Sequence, residues 1–217
     1  MASGGSDSVR ACRMIHLPRL YAILDAAAFP NIEALCRQAE ELVAGGVTLM
    51  QYRNKNDAAP QILDHARKLK LCIGGRANLI LNDRADLCVL AGSDGVHLGQ
   101  HDLSPGRGRS VIGDRLWLGV STHNSGQLSE ADTTSADYIA MGPVFATASK
   151  EKPDPVVGLE GVREARALTR KPLVAIGGIT LANCRSVIDA GADSVAVISA
   201  LAENPRKSAE EFFRILR

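Results

Sequence analysis

The sequence lacks the features that would place a protein in a membrane or on a nucleic acid. None of its apolar runs reaches the about 20 residues that a membrane-spanning helix needs. Its 25 basic and 24 acidic residues leave a formal net charge of +1, so no overall field favours nucleic acid or an acidic membrane surface. We therefore expect neither a nucleic-acid nor a membrane partner, and any positive site must be local.

The cysteines lack the spacing of disulfide or zinc sites. There are five, scattered along the chain, with no C-x-x-C pair, which predicts reduced core thiols. We expect residues 1–17, which begin with a Ser/Gly-rich stretch, to be a disordered extension. Arg13, His16 and Arg19 interrupt the next apolar stretch, so it is a poor secretory signal, and the sequence predicts a cytoplasmic protein.

One local pattern recurs along the chain and predicts its architecture. A small residue or glycine, often followed by Asp, precedes a short β-branched run near Gly46, Asp94, Asp137 and Asp193. Such a joint is typical of a helix end that turns into a buried strand. Its repetition indicates parallel strands that are connected by helices.

Eight strands can be placed with this pattern, near residues 20–24, 48–53, 79–82, 95–98, 116–120, 138–141, 173–176 and 194–198. Eight βα units in about 200 residues predict an α/β protein with one (β/α)8 TIM barrel domain, spanning 18–217. A doubly wound open sheet is the alternative, but no G-x-G-x-x-G motif follows the first strand.

The second strand ends in a polar segment that suits an anionic ligand. It reads Gln51-Tyr52-Arg53-Asn54-Lys55, and strand alternation places Gln51, Arg53 and Lys55 on one side. In a barrel of this type the active site lies at the strand ends. Two cations and an amide there fit a cluster of anionic oxygens, although a solvated strand end would have the same composition.

Two aspartates follow neighbouring strands and predict a Mg2+ site. Asp83 follows the third strand and Asp102 follows the fourth. Mg2+ takes few protein ligands and keeps several waters, so two carboxylates beside incoming phosphate oxygens are sufficient. The alternatives are a helix N-cap at Asp83 and a turn residue at Asp102.

The loops after the last three strands suggest a lid and a phosphate cradle. Residues 142–158 form a long segment that is rich in hydroxyls and contains Lys150, as in loops that cover substrates. Gly178 and Ser199 follow the seventh and eighth strands, where such barrels commonly bind phosphate through backbone N–H groups.

The sequence shows no arrangement for covalent catalysis. We find no Ser-His-Asp set, no Cys-His pair and no Schiff-base lysine, which favours electrostatic stabilisation of a leaving diphosphate. His97, inside a strand, is expected to be a hydrogen-bonded interior residue. His123, after the fifth strand, is either a proton carrier or a loop anchor.

Taken in order, these segments resemble the thiamine-phosphate synthase family over nearly all of the chain from Leu20 to Ala200. The matching motifs are Tyr21-Ala22-Ile23-Leu24-Asp25, Gln51-Tyr52-Arg53-Asn54-Lys55, Asn82-Asp83, residues 94–100, Asp102, Gly119-Val120-Ser121, Gly142-Pro143-Val144-Phe145 and Ile176-Gly177-Gly178-Ile179. The resemblance implies a transferase that joins 4-amino-2-methyl-5-(diphosphooxymethyl)pyrimidine to thiazole phosphate. Its products are thiamine phosphate and diphosphate, and Mg2+ assists the departure of diphosphate.

The resemblance also implies residue roles. The residues expected to bind the pyrimidine diphosphate are Gln51, Arg53, Lys55, Asn82, Ser121 and Lys150. Asp83 and Asp102 are expected to bind Mg2+. The residues expected to bind the thiazole phosphate are Thr147, Ser149, Gly178, Ile198 and Ser199. Arg53, Lys55, Ser121 and Lys150 are the expected catalytic groups. Tyr52, Asn54 and Ala148 stand beside these residues and are expected to contact substrate. Asn54, Ala146 and Ser149 depart from the frequent acid, proline and threonine of the family.

Two other functions remain open from the sequence. A thiazole tautomerase on the same barrel would use a histidine such as His123, but it would not need two cations and a metal pair. A non-catalytic barrel that binds a phosphorylated ligand would not need Asp83 and Asp102. The sequence leaves open whether the chain forms a homo-oligomer.

Overall fold

The structure, a computed structural model, describes residues 15–147 and 154–217. The strands are β1 Leu20–Asp25, β2 Leu49–Arg53, β3 Asn78–Asn82, β4 Gly95–Leu98, β5 Trp117–Thr122, β6 Tyr138–Met141, β7 Leu173–Ile176 and β8 Ser194–Val197. The helices are α1 Ile32–Ala44, α2 Ala59–Ile73, α3 Ala85–Ala91, α4 Pro105–Ile112, α5 Ser125–Asp132, α6 Gly158–Leu168, α7 Cys184–Asp189 and α8 Pro205–Ile215.

The eight strands form a closed parallel barrel in chain order. Each strand pairs with the next, and β8 closes the ring by pairing with β1. The (β/α)8 prediction is therefore confirmed. The predicted strand bounds differ from the observed ones by at most two residues, with the largest difference at the end of β5.

Alternation along the strands divides the apolar residues into two layers. One set, which includes Leu24, Met50 and Leu81, packs between the barrel and the helices. The other set fills the barrel interior and includes Tyr21, Leu49, Ile80, Tyr138 and Val174. Because the interior is packed from below, the cavity opens only where the strands end.

The packed part of the chain begins earlier than the sequence predicted. Ile15 and Leu17 are only 8% and 5% exposed and pack with the interior set of residues. These two apolar side chains precede β1, so they cover the base of the barrel. Residues 15–17 therefore belong with the barrel, and residues 1–14 of the expected extension lie outside the described residues.

Three aspartates lock the base of the barrel in the same way. Asp94, Asp137 and Asp193 each precede an even-numbered strand and accept a backbone N–H from the start of the preceding strand. The donors are Leu79, Leu118 and Leu173, at 2.6, 2.7 and 2.8 Å. A basic side chain from the helix before the odd-numbered strand completes each clamp by donating to the same carboxylate. The donors are Lys70, Arg109 and Arg166, at 2.8, 2.7 and 2.9 Å. The recurring Asp of the sequence pattern is thus a structural clamp.

Two further observations concern the predicted absence of a membrane span and of disulfides. Of the helices formed by residues 15–147 and 154–217, none combines the length and the apolar character that crossing a bilayer requires. Cys36, Cys72, Cys88 and Cys184 are free thiols. Cys12 lies outside the described residues.

Candidate active site

The mouth of the barrel contains a cavity of about 600 Å3. One wall is formed by the end of β2, where Gln51, Arg53 and Lys55 face the cavity as alternation predicted. Arg53 forms an ion pair with Asp25 at the end of β1, and Lys55 forms one with Asp83. Both cations are therefore held in place by carboxylates at the edge of the cavity.

The two aspartates that were predicted to bind a metal lie against each other. Asp83 has a φ of 64°, the left-handed backbone conformation that residues other than glycine rarely adopt. Asp102 accepts a hydrogen bond from the Gly99 N–H at 2.7 Å. Burial and the neighbouring Asp83 carboxylate raise the pKa of Asp102 above its ordinary value, and Lys55 partly offsets this effect.

The sequence also allowed structural roles for the two aspartates, a helix N-cap for Asp83 and a turn residue for Asp102. The residue that caps α3 is Arg84, so Asp83 is not a helix N-cap. Asp102 is a turn residue, because its carboxylate accepts a hydrogen bond from the Gly99 N–H. The same side chain also faces the cavity. Within the described ranges, no three His, Cys, Asp or Glu side chains form a possible metal cluster. Asp25 is paired with Arg53 and does not line the cavity, so Asp83 and Asp102 are the carboxylates that face it at this wall.

Asn82 and Ser121 provide polar groups between the two sides of the mouth. The Asn82 Nδ2 is buried and has no hydrogen-bond partner among the described residues. An unpaired buried amide donor is costly, and a ligand that accepts from it would remove that cost. Ser121 lines the same cavity at the end of β5.

The opposite wall is formed by the loops after β6, β7 and β8. Thr147, Gly178, Ile198 and Ser199 line the cavity there, as the sequence predicted. Gly178 has a φ of 63°, and a Cβ at this position would lie 2.5 Å from the Ala146 carbonyl oxygen. This glycine is therefore required by close packing of two loops, whatever it binds.

Other expected site residues are not in the cavity or are not described. The side chains of Tyr52 and Asn54 point away from the mouth, which corrects the prediction that they contact substrate. Tyr52 is buried on the helix side of β2, where its hydroxyl bonds His65 at 3.0 Å and receives the Asn54 amide at 2.8 Å. Ala148, Ser149 and Lys150 lie outside the described residues.

The histidines have distinct environments. His97 is buried and bonds Tyr138 and Ser121, as expected for an interior residue, but it also lines the cavity. His123 bonds the Gly142 carbonyl through Nδ1 at 2.6 Å, and its Nε2 lies 3.4 Å from Asp154. Of its two interpretations, the loop anchor is the one that these contacts support.

Sequence reasoning missed three groups at the site. Tyr138 was counted only as a strand residue, although alternation with Ala140 would have directed it inward. Asp25 was part of a motif but its pairing with Arg53 was not expected. Gln100, which donates to the Ser121 carbonyl at 2.5 Å, was part of the motif of residues 94–100, but it was given no role.

The chain is similar to known proteins over almost its whole length. A family model described as thiamine monophosphate synthase matches residues 20–201. The thiamine-phosphate synthase of Koribacter versatilis (strain Ellin345) is 59% identical over 205 residues, which are 93% of this chain and 97% of that protein. The thiamine phosphate pyrophosphorylase of Pyrococcus furiosus superposes with a TM-score of 0.81 at 33% identity, covering 91% of this chain and 95% of that one.

Proposed function

The chain belongs to the thiamine monophosphate synthase family, and on this premise we propose how the residues of the barrel mouth divide the reaction. The enzyme is a transferase that joins 4-amino-2-methyl-5-(diphosphooxymethyl)pyrimidine to thiazole phosphate and releases diphosphate. The proposal rests on one observation. Two cations, two carboxylates and the unpaired Asn82 amide converge on one wall of a single cavity.

We propose that this wall binds the pyrimidine diphosphate. Arg53 and Lys55 project from the end of β2, and both can exchange part of their pairing with carboxylates for phosphate oxygens. Diphosphate gains charge as its bond to the pyrimidine methylene breaks, leaving a carbocation that the thiazole nitrogen attacks. Groups that bind the departing diphosphate more tightly than the bound substrate lower this barrier.

We propose that Asp83 and Asp102 hold Mg2+ at this wall. Their carboxylates are hard oxygen ligands, they lie against each other, and they face an open cavity that leaves room for water and phosphate oxygens. When bound, Mg2+ would neutralise charge on the diphosphate. Lys55, which pairs with Asp83, would then be available to the substrate.

The opposite wall is proposed to bind the thiazole phosphate. Gly178 and Ser199 lie where the loops after β7 and β8 meet the cavity, and Thr147 adds a hydroxyl. The two phosphorylated groups would thus be held on separate sides of the cavity. This separation allows the thiazole to approach the pyrimidine methylene while diphosphate departs in the other direction.

A direct assay distinguishes this function from the two alternatives. Purified protein is supplied with both substrates and Mg2+, and thiamine phosphate and diphosphate are measured together. We expect equal amounts of the two products and no turnover after chelation of Mg2+. A tautomerase would release no diphosphate, and a non-catalytic barrel would bind substrates without forming either product. Lys55→Met, which removes a cation from the proposed diphosphate wall, should lose most of this turnover. Its control is Lys68→Met, which removes an exposed cation paired with Glu33 on the outer helices and should keep it.

We also propose a cytoplasmic location. Four free thiols among the described residues fit a reducing compartment. Self-association is the remaining expectation, and light scattering of the purified protein measures it directly.

A further inference from the structure

A continuous chain of hydrogen bonds crosses the floor of the cavity. The Gln51 Nε2 donates to the Tyr21 hydroxyl at 2.9 Å, and that hydroxyl bonds the Tyr138 hydroxyl at 3.1 Å. Tyr138 bonds the His97 Nδ1 at 3.1 Å, and the His97 Nε2 bonds the Ser121 Oγ at 2.8 Å. We call these five residues the relay. It connects β2 to β5 across the barrel.

The relay is built into a tightly packed interior. Tyr21 and Tyr138 are 1% and 0% exposed, and their rings meet edge to face with centroids 6.1 Å apart. A Cβ at Gly119 would lie 2.0 Å from the Tyr138 ring and 2.5 Å from the His97 Nδ1. Only glycine at this position lets the tyrosine reach the histidine. Burial raises the pKa of both tyrosines, so each hydroxyl keeps its proton.

Each tyrosine hydroxyl has one proton and lies between two partners, so a hydroxyl that accepts from one partner must donate to the other or leave its buried proton unpaired. When Gln51 donates to Tyr21, Tyr21 donates to Tyr138 and Tyr138 donates to the His97 Nδ1. The His97 proton is then on Nε2 and is donated to Ser121. In this order, the Gln51 side-chain carbonyl oxygen can accept a hydrogen bond from a ligand, and the Ser121 hydroxyl can donate its proton to one.

The reverse order is equally complete and presents the opposite groups. A rotated Gln51 amide would accept from Tyr21, every bond would reverse, and His97 would carry its proton on Nδ1. Gln51 would then offer N–H groups to a ligand, and Ser121 would offer only lone pairs. While the chain is intact, the two ends can change independently only if a buried hydroxyl proton loses its partner, which is costly.

We infer that Tyr21, Tyr138 and His97 are positioning residues that couple Gln51 to Ser121 and thereby select a 4-aminopyrimidine. This inference rests on the proposed function and deepens it. An aminopyrimidine has an exocyclic N–H donor and ring nitrogens that accept, which matches the order with an acceptor at Gln51 and a donor at Ser121. A 4-methoxypyrimidine replaces the donor with an acceptor and keeps its ring nitrogens unprotonated, so it needs a donor at both ends, which neither order of the relay provides.

Substrate selectivity tests the inference. The ratio of kcat/KM for the 4-amino and 4-methoxy pyrimidine diphosphates is measured by diphosphate release for the wild type, Tyr21→Phe and Tyr138→Phe. Phe breaks the chain without removing the ring, so Gln51 can rotate to donate to the 4-methoxy oxygen while Ser121 keeps its hydroxyl proton. We expect the ratio to fall by about 5- to 150-fold, the value of one unpaired polar group. The double variant should lose little more than either single variant, because the chain is already broken.

Tyr52→Phe is the matched control. It also removes a buried tyrosine hydroxyl from the barrel wall, but on the helix side of β2, and it should retain the wild-type ratio. An unchanged ratio in both relay variants of an active enzyme would overturn the inference and leave the proposed function intact. A wild-type enzyme that releases no diphosphate would overturn the proposed function instead.

A second measurement does not depend on turnover. Nitrogen-15 NMR of the wild-type protein with 4-amino-2,5-dimethylpyrimidine, which has the ring but no leaving group, reports which His97 nitrogen is protonated. We expect the neutral Nε2–H form in the complex. A bound complex with the proton on Nδ1, or with both nitrogens protonated, contradicts the relay order.

Discussion

Replacing Asp102 with Asn should separate the stability of the enzyme from its activity. The pKa of Asp102 is raised by burial and by the adjacent Asp83 carboxylate, so the metal-free fold disfavours the charged form of this side chain. For a carboxyl whose pKa is raised on folding, the folded state binds more protons than the unfolded state in the interval between the two pKa values. Stability therefore falls as pH rises through that interval, and the penalty persists at neutral pH.

Asp102→Asn removes this penalty and keeps an oxygen that can accept from the Gly99 N–H. We expect the metal-free variant to melt at the wild-type temperature or higher, with a gain of at most about 1 kcal/mol, or about 2–4 °C. Turnover should fall by at least about 10- to 100-fold, the loss that is typical of changes in the outer shell of a metal site, because the substitution removes one of the two carboxylates proposed to bind Mg2+. Calorimetry without Mg2+ and diphosphate release with Mg2+ measure the two effects.

Asp86→Asn provides a control of opposite sign. Asp86 is an exposed carboxylate on α3 whose pKa is lowered by its hydrogen bond to Arg84. Its loss should slightly lower stability, by less than about 1 kcal/mol, and leave turnover unchanged. If Asp102→Asn melted several degrees below the wild type, or kept full Mg2+-dependent activity, the reasoning about Asp102 would be wrong.

Four further substitutions test other parts of the site and fold. Lys150→Ala should lose about 100- to 1,000-fold in steady-state diphosphate release with a smaller change in pyrimidine-diphosphate binding, whereas His123→Ala should keep most activity; the opposite ranking would favour the tautomerase. Gly178→Ala should lower the free energy of unfolding in urea by about 1–3 kcal/mol and raise the KM for thiazole phosphate, because alanine keeps the φ of 63° only with strain. A wild-type unfolding free energy together with a wild-type KM would remove Gly178 from the site. Asp137→Asn should cost about 3 kcal/mol in urea unfolding, because it leaves the buried Arg109 without its carboxylate, while an altered KM in the folded enzyme would contradict a purely structural clamp.

The strands and the side of each strand were predictable because the signals are local. The turn before each strand and the alternation along it depend only on neighbouring residues, which is why Gln51, Arg53 and Lys55 were placed correctly. Asp83 and Asp102 could be placed at neighbouring strand ends by the same logic. Their contact could not, because it depends on the left-handed turn at Asp83.

The pairings at the site were not predictable because they join distant segments. Asp25 meets Arg53, and Tyr138 meets Tyr21 over 117 positions of sequence. The errors at Tyr52 and Asn54 have a different origin. These residues were included because they stand within a motif, although the alternation that was applied to Gln51 and Arg53 already directs Tyr52 to the helix layer.

The three clamps at the base of the barrel divide the chain into modules. Each clamp joins a helix, the following strand and the turn before the next even-numbered strand, which gives the units α2 to β4, α4 to β6 and α6 to β8. The fourth unit combines α8 with β1, α1 and β2 from the two ends of the chain. There the position before the strand is Thr48, which has no carboxylate.

The boundaries between these modules all fall at the mouth. They are the loops after β2, β4, β6 and β8, which contain Lys55, Asp102, Thr147 and Ser199. No clamp spans these loops, so their length and sequence can change without disturbing the locks at the base. The same reasoning makes them the natural places to open the chain in a circular permutant, since the three clamped units would stay intact. In this barrel, the segments that no clamp spans are segments that line the cavity at the mouth.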